Sequence, residues 1–530
     1  MYLKSLKKQF VENWFFWGLV SFYLFIILAS FFGSHVLKNL EPYPDSLYYL
    51  SQAKELAQTG KLRLRYQDSV INFHVPPFYS LVLSPFFLFT QNPQIFVIAN
   101  IIFGITSLVL IMLIISEKTK SKSAIAIATL ILLSHFSFIW FSTLPMTELL
   151  GLTLMLLSFY LIIKKKINLW NLLIIFTLLL SLILTKYLYV TLAMGLGLIL
   201  LIRLIKEKQS KMLQVIFGLI LFSGLLLILF LQKIHYRPFD VFTYLFNSHL
   251  NAFYFYSFSY IKQNLLFYLQ TLLGINSQML WLKTPLSSAG ILFLFFFSLF
   301  KLWQNKANKF FALSIFILFC SLFPILLIFY AKDARYLFFV PALMALAISI
   351  NWEQSRGKQK FYLSLSIAVS LCLQIFTQAP LLKIILSQNI LHHSTAWQYE
   401  AIQNYNKYFI EDNNAYLITA LPPFFVDFYD NGNYRVLPLS NNQEFINKNQ
   451  WVWGSDLDLS ADEAKNKNLY DLYNKLLAEE KQIYISNSYI THNHLVIEDY
   501  EKLKKNYNFE LVQEGCNNAC NIYELRPSPE

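Results

Sequence analysis

Asp45 opens the stretch DSLYYLSQAKELAQTG (45–60) directly after a long apolar run, at the boundary between an apparent membrane span and water. A loop that merely joined two spans would need neither this acid nor the tyrosine pair Tyr48 and Tyr49. Charge in or beside a membrane costs several kcal/mol unless it is paired or hydrated, so such residues are functional candidates by default. Glu148, in TLPMTELLGL, begins an apolar run just after a proline. Both acids also have a plain structural use, since Asp is a good helix N-cap and a first-turn acid meets the helix dipole favourably. YAKDARYLFFVPAL puts Lys332 and Arg335 at a helix boundary. Arginine's planar fork matches phosphate oxygens, although snorkelling to lipid headgroups explains such a residue equally well. Lys186, in LILTKYLYV, interrupts a near-continuous hydrophobic stretch and marks a turn between two spans. His74, His235 and Arg237 add polar groups on the same side, where Glu41, Glu55, Asp68, Asp240 and Asp333 complete the acids. A lone histidine is more often a hydrogen-bonded neighbour than a metal ligand.

These residues must be positioned by a body that lipid solvates. Of 530 residues, 56% are hydrophobic, 17% aromatic and only 14% charged, against roughly 25% charged in a soluble domain. Residues 1–379 hold 31 bases and 11 acids, whereas residues 380–530 hold 12 bases and 20 acids. The asymmetry predicts a basic membrane part (1–379) and an acidic C-terminal α/β domain (380–530), so the overall charge of +12 is no sign of nucleic-acid binding.

Nineteen of the 31 bases fall in six short clusters, around residues 4–8, 118–122, 164–166, 203–211, 301–309 and 356–360. Placed on the cytoplasmic side by the positive-inside bias, they predict eleven spans, near 14–33, 94–116, 123–141, 148–163, 168–184, 187–203, 212–231, 284–300, 310–330, 336–350 and 361–379. The N-terminus is then cytoplasmic and the C-terminal domain extracytoplasmic, in a multi-pass protein of the plasma membrane. The first apolar run is long for a signal peptide and no A-x-A-like site follows, so a retained span is expected. Cys320 and Cys372 lie in apolar runs and read as inert core residues. Cys516 and Cys520, in EGCNNACNIYEL, stand where a disulfide could persist, and the spacing leaves it open.

Two outer loops carry the polar chemistry. In the first (34–92), Leu47, Leu50, Ala53, Leu56 and Ala57 follow the spacing of an amphipathic helix on the membrane surface, with Gly60 as its C-cap. The stretch 78–89 is too short to cross and reads as interfacial. The second loop (232–283) is crowded with Tyr and Phe, as an aromatic belt or as one wall of a groove for a lipid tail. Beyond residue 395, AYLITA, YRVLPL, QIYISN and FELVQEG read as strands, with helices in NLYDLYNKLLAEEK and IEDYEKLKKNY.

The 45–60 stretch followed by HVPPFY (74–79) resembles the first outer loop of GT-C glycosyltransferases, in the branch of protein O-mannosyltransferases and bacterial lipid A aminoarabinose transferases. PMTE ending at Glu148, TKY around Lys186, and ARY around Arg335 with Pro341 beyond resemble later landmarks in the same order. The resemblance implies a GT-C-like polytopic fold and inverting transfer of a sugar from a polyprenyl-phosphate donor to a lipid, glycan or protein hydroxyl. Asp45 then stands at the position of the loop carboxylate proposed as catalytic base, and Glu148 at a second acidic site. Arg335, Lys186 and Arg237 become donor-phosphate contacts, and Tyr48, Tyr49, His74 and Tyr79 substrate-pocket residues. His74 falls where some relatives carry an acid, so metal binding there is open. No cofactor is named by the sequence, and a divalent cation is left open. Two other readings compete: a transporter or flippase for lipid-linked sugars, and an envelope polysaccharide polymerase or binding protein whose outer domain does the work.

Overall fold

The computed structural model describes residues 13–33, 44–62, 64–66, 69–71, 76–89, 95–164, 167–209, 215, 257–274, 288–329, 332–386, 396–410, 415–421, 426, 428–429, 433–440, 469–488, 490 and 496–527. Its helical body begins with α1 (Trp14–Gly33). The first loop contributes α2 (Pro44–Thr59), the hairpin β1 (Leu64–Tyr66) and β2 (Ser69–Ile71), and α3 (Phe78–Leu83), which runs into a 3-10 turn over Ser84–Leu88. Then come α4 (Ile95–Lys118), α5 (Lys122–Ser134), α6 (Phe136–Ser142), α7 (Thr147–Ile163), α8 (Leu169–Thr185) and α9 (Val190–Lys206). After α10 (Ile261–Leu273) follow α11 (Ala289–Gln304), α12 (Lys309–Ser321), α13 (Phe323–Ile328), α14 (Val340–Gln354) and α15 (Gly357–Leu386), the last passing residue 379.

At the centre stands α14. From Val340 to Ile350 every residue is buried, and the small side chains Ala342, Ala345, Ala347 and Ser349 let α5 and α11 pack closely against it. The outward face is apolar instead: Phe25, Met194, Phe293 and Phe376 are largely exposed, as expected of a surface solvated by lipid. Cys320 and Cys372 also face outward on α12 and α15, correcting their expected burial in the core.

Among the described residues five helices are long and apolar enough to cross a membrane, and six if one bent pair counts as a single span. Four further expected spans are shorter apolar helices, Trp14–Ala29, Thr147–Ile163, Leu169–Thr185 and Ala289–Gln304. The one expected at 212–231 lies, apart from residue 215, outside the described residues, as does most of the second loop. The bent pair is the stretch expected as one straight span at 123–141. It turns by 71° between α5 and α6, where His135 leaves the helical region (φ −85°, ψ 90°). A kink needs something to satisfy the freed backbone. Here the Phe136 N–H donates to Gln378 Oε1 of α15 at 2.7 Å, and His135 Nδ1 lies 2.7 Å from the Ile131 carbonyl.

The C-terminal unit contains α16 (Ala396–Tyr408), β3 (Ala415–Thr419), β4 (Tyr434–Pro438), α17 (Leu469–Ala478), β5 (Ile483–Ser486), α18 (Ile497–Asn506), β6 (Tyr507–Gln513) and β7 (Ile522–Pro527). The sheet runs in the order β4-β3-β5-β7-β6. Its first three strands are parallel, with Leu417 beside both Val436 and Tyr484, and β7 is antiparallel to both neighbours. All four expected strands form. The sequence reading missed α16 and β7, whose apolar residues are interrupted by Glu524 and Arg526. Cys516 and Cys520 are joined in a disulfide. This unit touches the first loop through Lys54, whose ammonium donates to the Phe428 carbonyl at 3.3 Å and sits 5.4 Å from the centre of that ring.

Candidate functional site

Helix α2 forms where the spacing predicts it. Gly60 adopts φ +70° and returns its N–H to the Leu56 carbonyl at 2.9 Å. Leu47, Leu50 and Ala53 are buried as expected, but so are Ser46, Tyr49, Gln52 and Glu55. The helix is therefore embedded against α3 and its 3-10 turn, a correction to a helix that lies on a surface with its polar side in water. Asp45 belongs to its first turn, and its side chain is outside the described residues, as are His74, His235 and Arg237 in their entirety.

A chain of contacts leads from α2 to Glu148. Ser80 donates to the Tyr49 carbonyl at 3.0 Å, and the Tyr49 and Tyr79 rings meet edge to face at 5.4 Å. The Tyr79 hydroxyl donates to Asn100 Oδ1 at 2.9 Å. Burial, with Glu148 and Tyr49 nearby, pushes that hydroxyl well up, so it stays a donor at neutral pH. The Asn100 amide nitrogen in turn bonds the carbonyls of Phe141 (3.2 Å), Leu144 and Met146 (3.1 Å). One buried amide thus ties the turn that delivers Glu148 into the first turn of α7. Tyr48, the other member of the pair, is half-buried against the core.

Glu148 does not serve as a cap. Its Oε1 accepts from the Lys186 ammonium at 2.8 Å, with the carboxylate 1% and the ammonium side chain 13% exposed. Lys186 reaches it because α8 ends there, with Lys186 in extended backbone (φ −158°, ψ 127°) before a 3-10 turn over Tyr187–Tyr189. The turn and α7 approach closely at Gly151, where a Cβ would lie 2.6 Å from the Tyr189 ring and 3.2 Å from Phe339.

The third element is the segment before α14. Asp333 caps a 3-10 turn over Ala334–Leu337: its Oδ1 accepts the Arg335 N–H at 2.8 Å, and its Oδ2 lies 3.1 Å from Arg335 Nε. The Tyr336 ring serves both cations, with Lys186 Nζ 5.1 Å and Arg335 Cζ 5.3 Å from its centre. Burial raises the Asp333 carboxyl above its usual range. Arg335 and Lys186 oppose that shift and Glu148 adds to it, so the four groups form one electrostatic cluster of two acids and two bases. The segment is fixed by Asn264 of α10, whose amide nitrogen bonds the carbonyls of Leu326 (2.9 Å), Leu327 (3.1 Å) and Phe329 (2.6 Å). Lys332 points elsewhere, to Gln263 Oε1 at 2.8 Å.

The structure thus brings Glu148, Lys186, Arg335, Tyr49 and Tyr79 to one end of the helical body. It adds Asn100, Tyr189, Asn264 and Tyr336, and it gives Asp333 a place in the cluster. Among the described residues no group of three His, Cys, Asp or Glu side chains is arranged to hold a metal.

No protein-family profile and no curated protein matches the chain. Solved structures do. The crystal structure of ArnT from Cupriavidus metallidurans in the apo state aligns with a TM-score of 0.60 at 15% identity, over 96% of this chain and 98% of that one. The same protein bound to undecaprenyl phosphate aligns at 0.61 and 13%, over the same shares. The chain has the ArnT fold. ArnT lies in the aminoarabinose transferase branch that the first-loop motifs resemble, so that resemblance is borne out in three dimensions. The ArnT-like alignment takes in both the helical body and the C-terminal unit, and the apolar helices make this a multi-pass membrane architecture.

Proposed function

We propose that this protein is a membrane glycosyltransferase that moves a sugar from a polyprenyl-phosphate-linked donor to an acceptor hydroxyl, with inversion. The reaction takes place at the membrane face that carries α2 and α3, which we assign to the extracytoplasmic side together with the C-terminal unit. The observation that carries this reading is the convergence of Glu148, Lys186, Asp333 and Arg335 beside the first-loop tyrosines. The fold is one in which ArnT has been seen bound to undecaprenyl phosphate.

The chemistry follows from the charges. As the bond between the anomeric carbon and the phosphate oxygen breaks, the electron pair leaves on the phosphate. Lys186 and Arg335 offset that growing charge, and fixed cations in a dry site cost no reorganisation at that moment. Glu148 orients Lys186, and the Tyr336 ring holds both cations. The acceptor oxygen forms the new bond from the opposite face of the sugar, and its proton passes to the Asp45 carboxylate as general base. We assign Tyr48, Tyr49, Tyr79 and His74 to the sugar pocket and Arg237 to the phosphate contacts.

The test is Asp45→Asn, assayed for formation of the glycosidic bond and release of polyprenyl phosphate. We expect an intact fold with transfer abolished. An active variant that has lost only about 1 kcal/mol of stability would reduce Asp45 to a helix cap. Wild-type protein that moves lipid-linked sugar across a bilayer without forming a glycosidic bond would replace the proposal with a transporter.

A further inference from the structure

The opposite end of the helical body carries a second concentration of charge that the proposed reaction does not use. Lys118 ends α4 and Lys206 ends α9, and both lie against the start of α12: Lys118 Nζ is 5.4 Å from the centre of the Phe311 ring, and Lys206 Nζ is 5.9 Å from that of Phe310. In the same last turn of α9 as Lys206 is the buried Arg203, whose guanidinium bonds the Ile162 carbonyl and pairs with Glu207 Oε1 at 2.7 Å. Lys118 is within electrostatic range of both Arg203 and Lys206, with Glu117 partly offsetting them. Glu207 is already engaged, by Arg203 and by Gln209 Nε2 at 3.1 Å. Neither Lys118 nor Lys206 makes a hydrogen bond or ion pair among the described residues; each has only a ring beneath it.

Three cations from two helix ends, two of them lacking an acceptor, form a place where an anion is favoured. Lys206 is exposed, whereas Lys118 is partly buried; an aromatic face recovers part of the cost of that half-desolvated ammonium, but it supplies no oxygen to its N–H groups. The site sits where apolar helices end, so the anion that reaches it arrives at headgroup depth with its tails in lipid. We propose that Lys118 and Lys206, held over Phe311 and Phe310, form with Arg203 a headgroup site for an anionic phospholipid. Such basic pockets between helix ends suit phosphodiester headgroups, and zwitterionic lipid, which brings its own cation, is a poorer match. The site is remote from the transfer chemistry and stands whether or not that assignment holds.

The full-length protein, stripped of lipid in detergent, is titrated with phosphatidylglycerol, phosphatidylcholine and inorganic phosphate, and bound adducts are counted by native mass spectrometry. We expect phosphatidylglycerol to be retained and phosphatidylcholine not, with retention falling tenfold or more in Lys118→Gln/Lys206→Gln. Arg203 is left in place because its bond to Ile162 holds α7. Equal retention of the two lipids, or undiminished phosphatidylglycerol binding in the double variant, overturns the proposal. So does inorganic phosphate displacing the lipid at equal concentration, which would make this a free-phosphate site. Should the double variant fail to fold, thermal unfolding of the wild type decides: a higher Tm with phosphatidylglycerol than with phosphatidylcholine supports the site, and equal values refute it.

Discussion

The Lys186 ammonium donates to Glu148 at 2.8 Å across 38 positions of sequence, and neither group is open to more than a sliver of solvent. Removing one partner of a buried ion pair leaves the other charged and unsatisfied, at a cost of about 3–5 kcal/mol, whereas replacing both with apolar residues is often close to neutral. Glu148→Met and Lys186→Met should therefore each lower thermal stability sharply, and the double variant should recover most of the loss. Sugar transfer should remain abolished in all three. Single variants that unfold like wild type would show that the pair does not form in the membrane.

Asn264 bonds the carbonyl groups of Leu326, Leu327 and Phe329, just ahead of Asp333 and Arg335. Asn264→Ala strips those partners and frees the segment to drift. We expect a stability loss of about 1–3 kcal/mol, together with a larger rise in KM for the lipid-linked donor than fall in kcat. An unchanged donor KM in a destabilised variant would confine Asn264 to a structural role.

Asp333 introduces a pH dependence whose sign follows from its burial. Its carboxyl is raised above the usual range, so the folded chain holds that proton more tightly than the unfolded chain does. The stability linked to this group is fully present below the unfolded carboxylate pKa, about 3.9, and is lost as pH rises through the raised folded value. Asp333→Asn removes the titration. The stability difference between wild type and variant, followed by denaturant unfolding from acid to neutral pH, should shift in favour of the variant as pH rises. A difference that stays flat over this range contradicts the assignment.

Gln52 is fully buried on α2, two turns beyond residue 45, and among the described residues neither of its amide atoms has a hydrogen-bond partner. A buried amide left unmet costs about 1–3 kcal/mol. Gln52→Leu, close to it in volume, is expected to raise Tm by several degrees in ligand-free protein. A fall in Tm would mean that the amide is satisfied in solution by a water or a substrate hydroxyl.

Where helices begin and end was largely readable, because a lipid-solvated helix must be apolar over its whole circumference. The expected spans 148–163 and 336–350 became α7 and α14, two helices enclosed by protein along nearly their whole length. Ala342, Ala345 and Ser349 depress hydropathy because their role is close packing. The kink at His135 was hidden, since the group that stabilises it, Gln378, lies 242 residues away. At the site, motif order pointed to Glu148, Lys186 and Arg335 but said nothing of their pairing. Asn100 and Asn264 were overlooked, although a lone amide in an apolar run is itself a signal: it is costly unless it has carbonyls to tie.

The charge pair at the heart of the site depends on a missing methyl group. Gly151 has only hydrogen where the Tyr189 ring passes, so the clearance between two helices is set by the smallest residue available. Glu148 and Lys186 meet because the backbone leaves room for the loop that carries the lysine to come in. One added carbon would wedge α7 and that loop apart before electrostatics had any say.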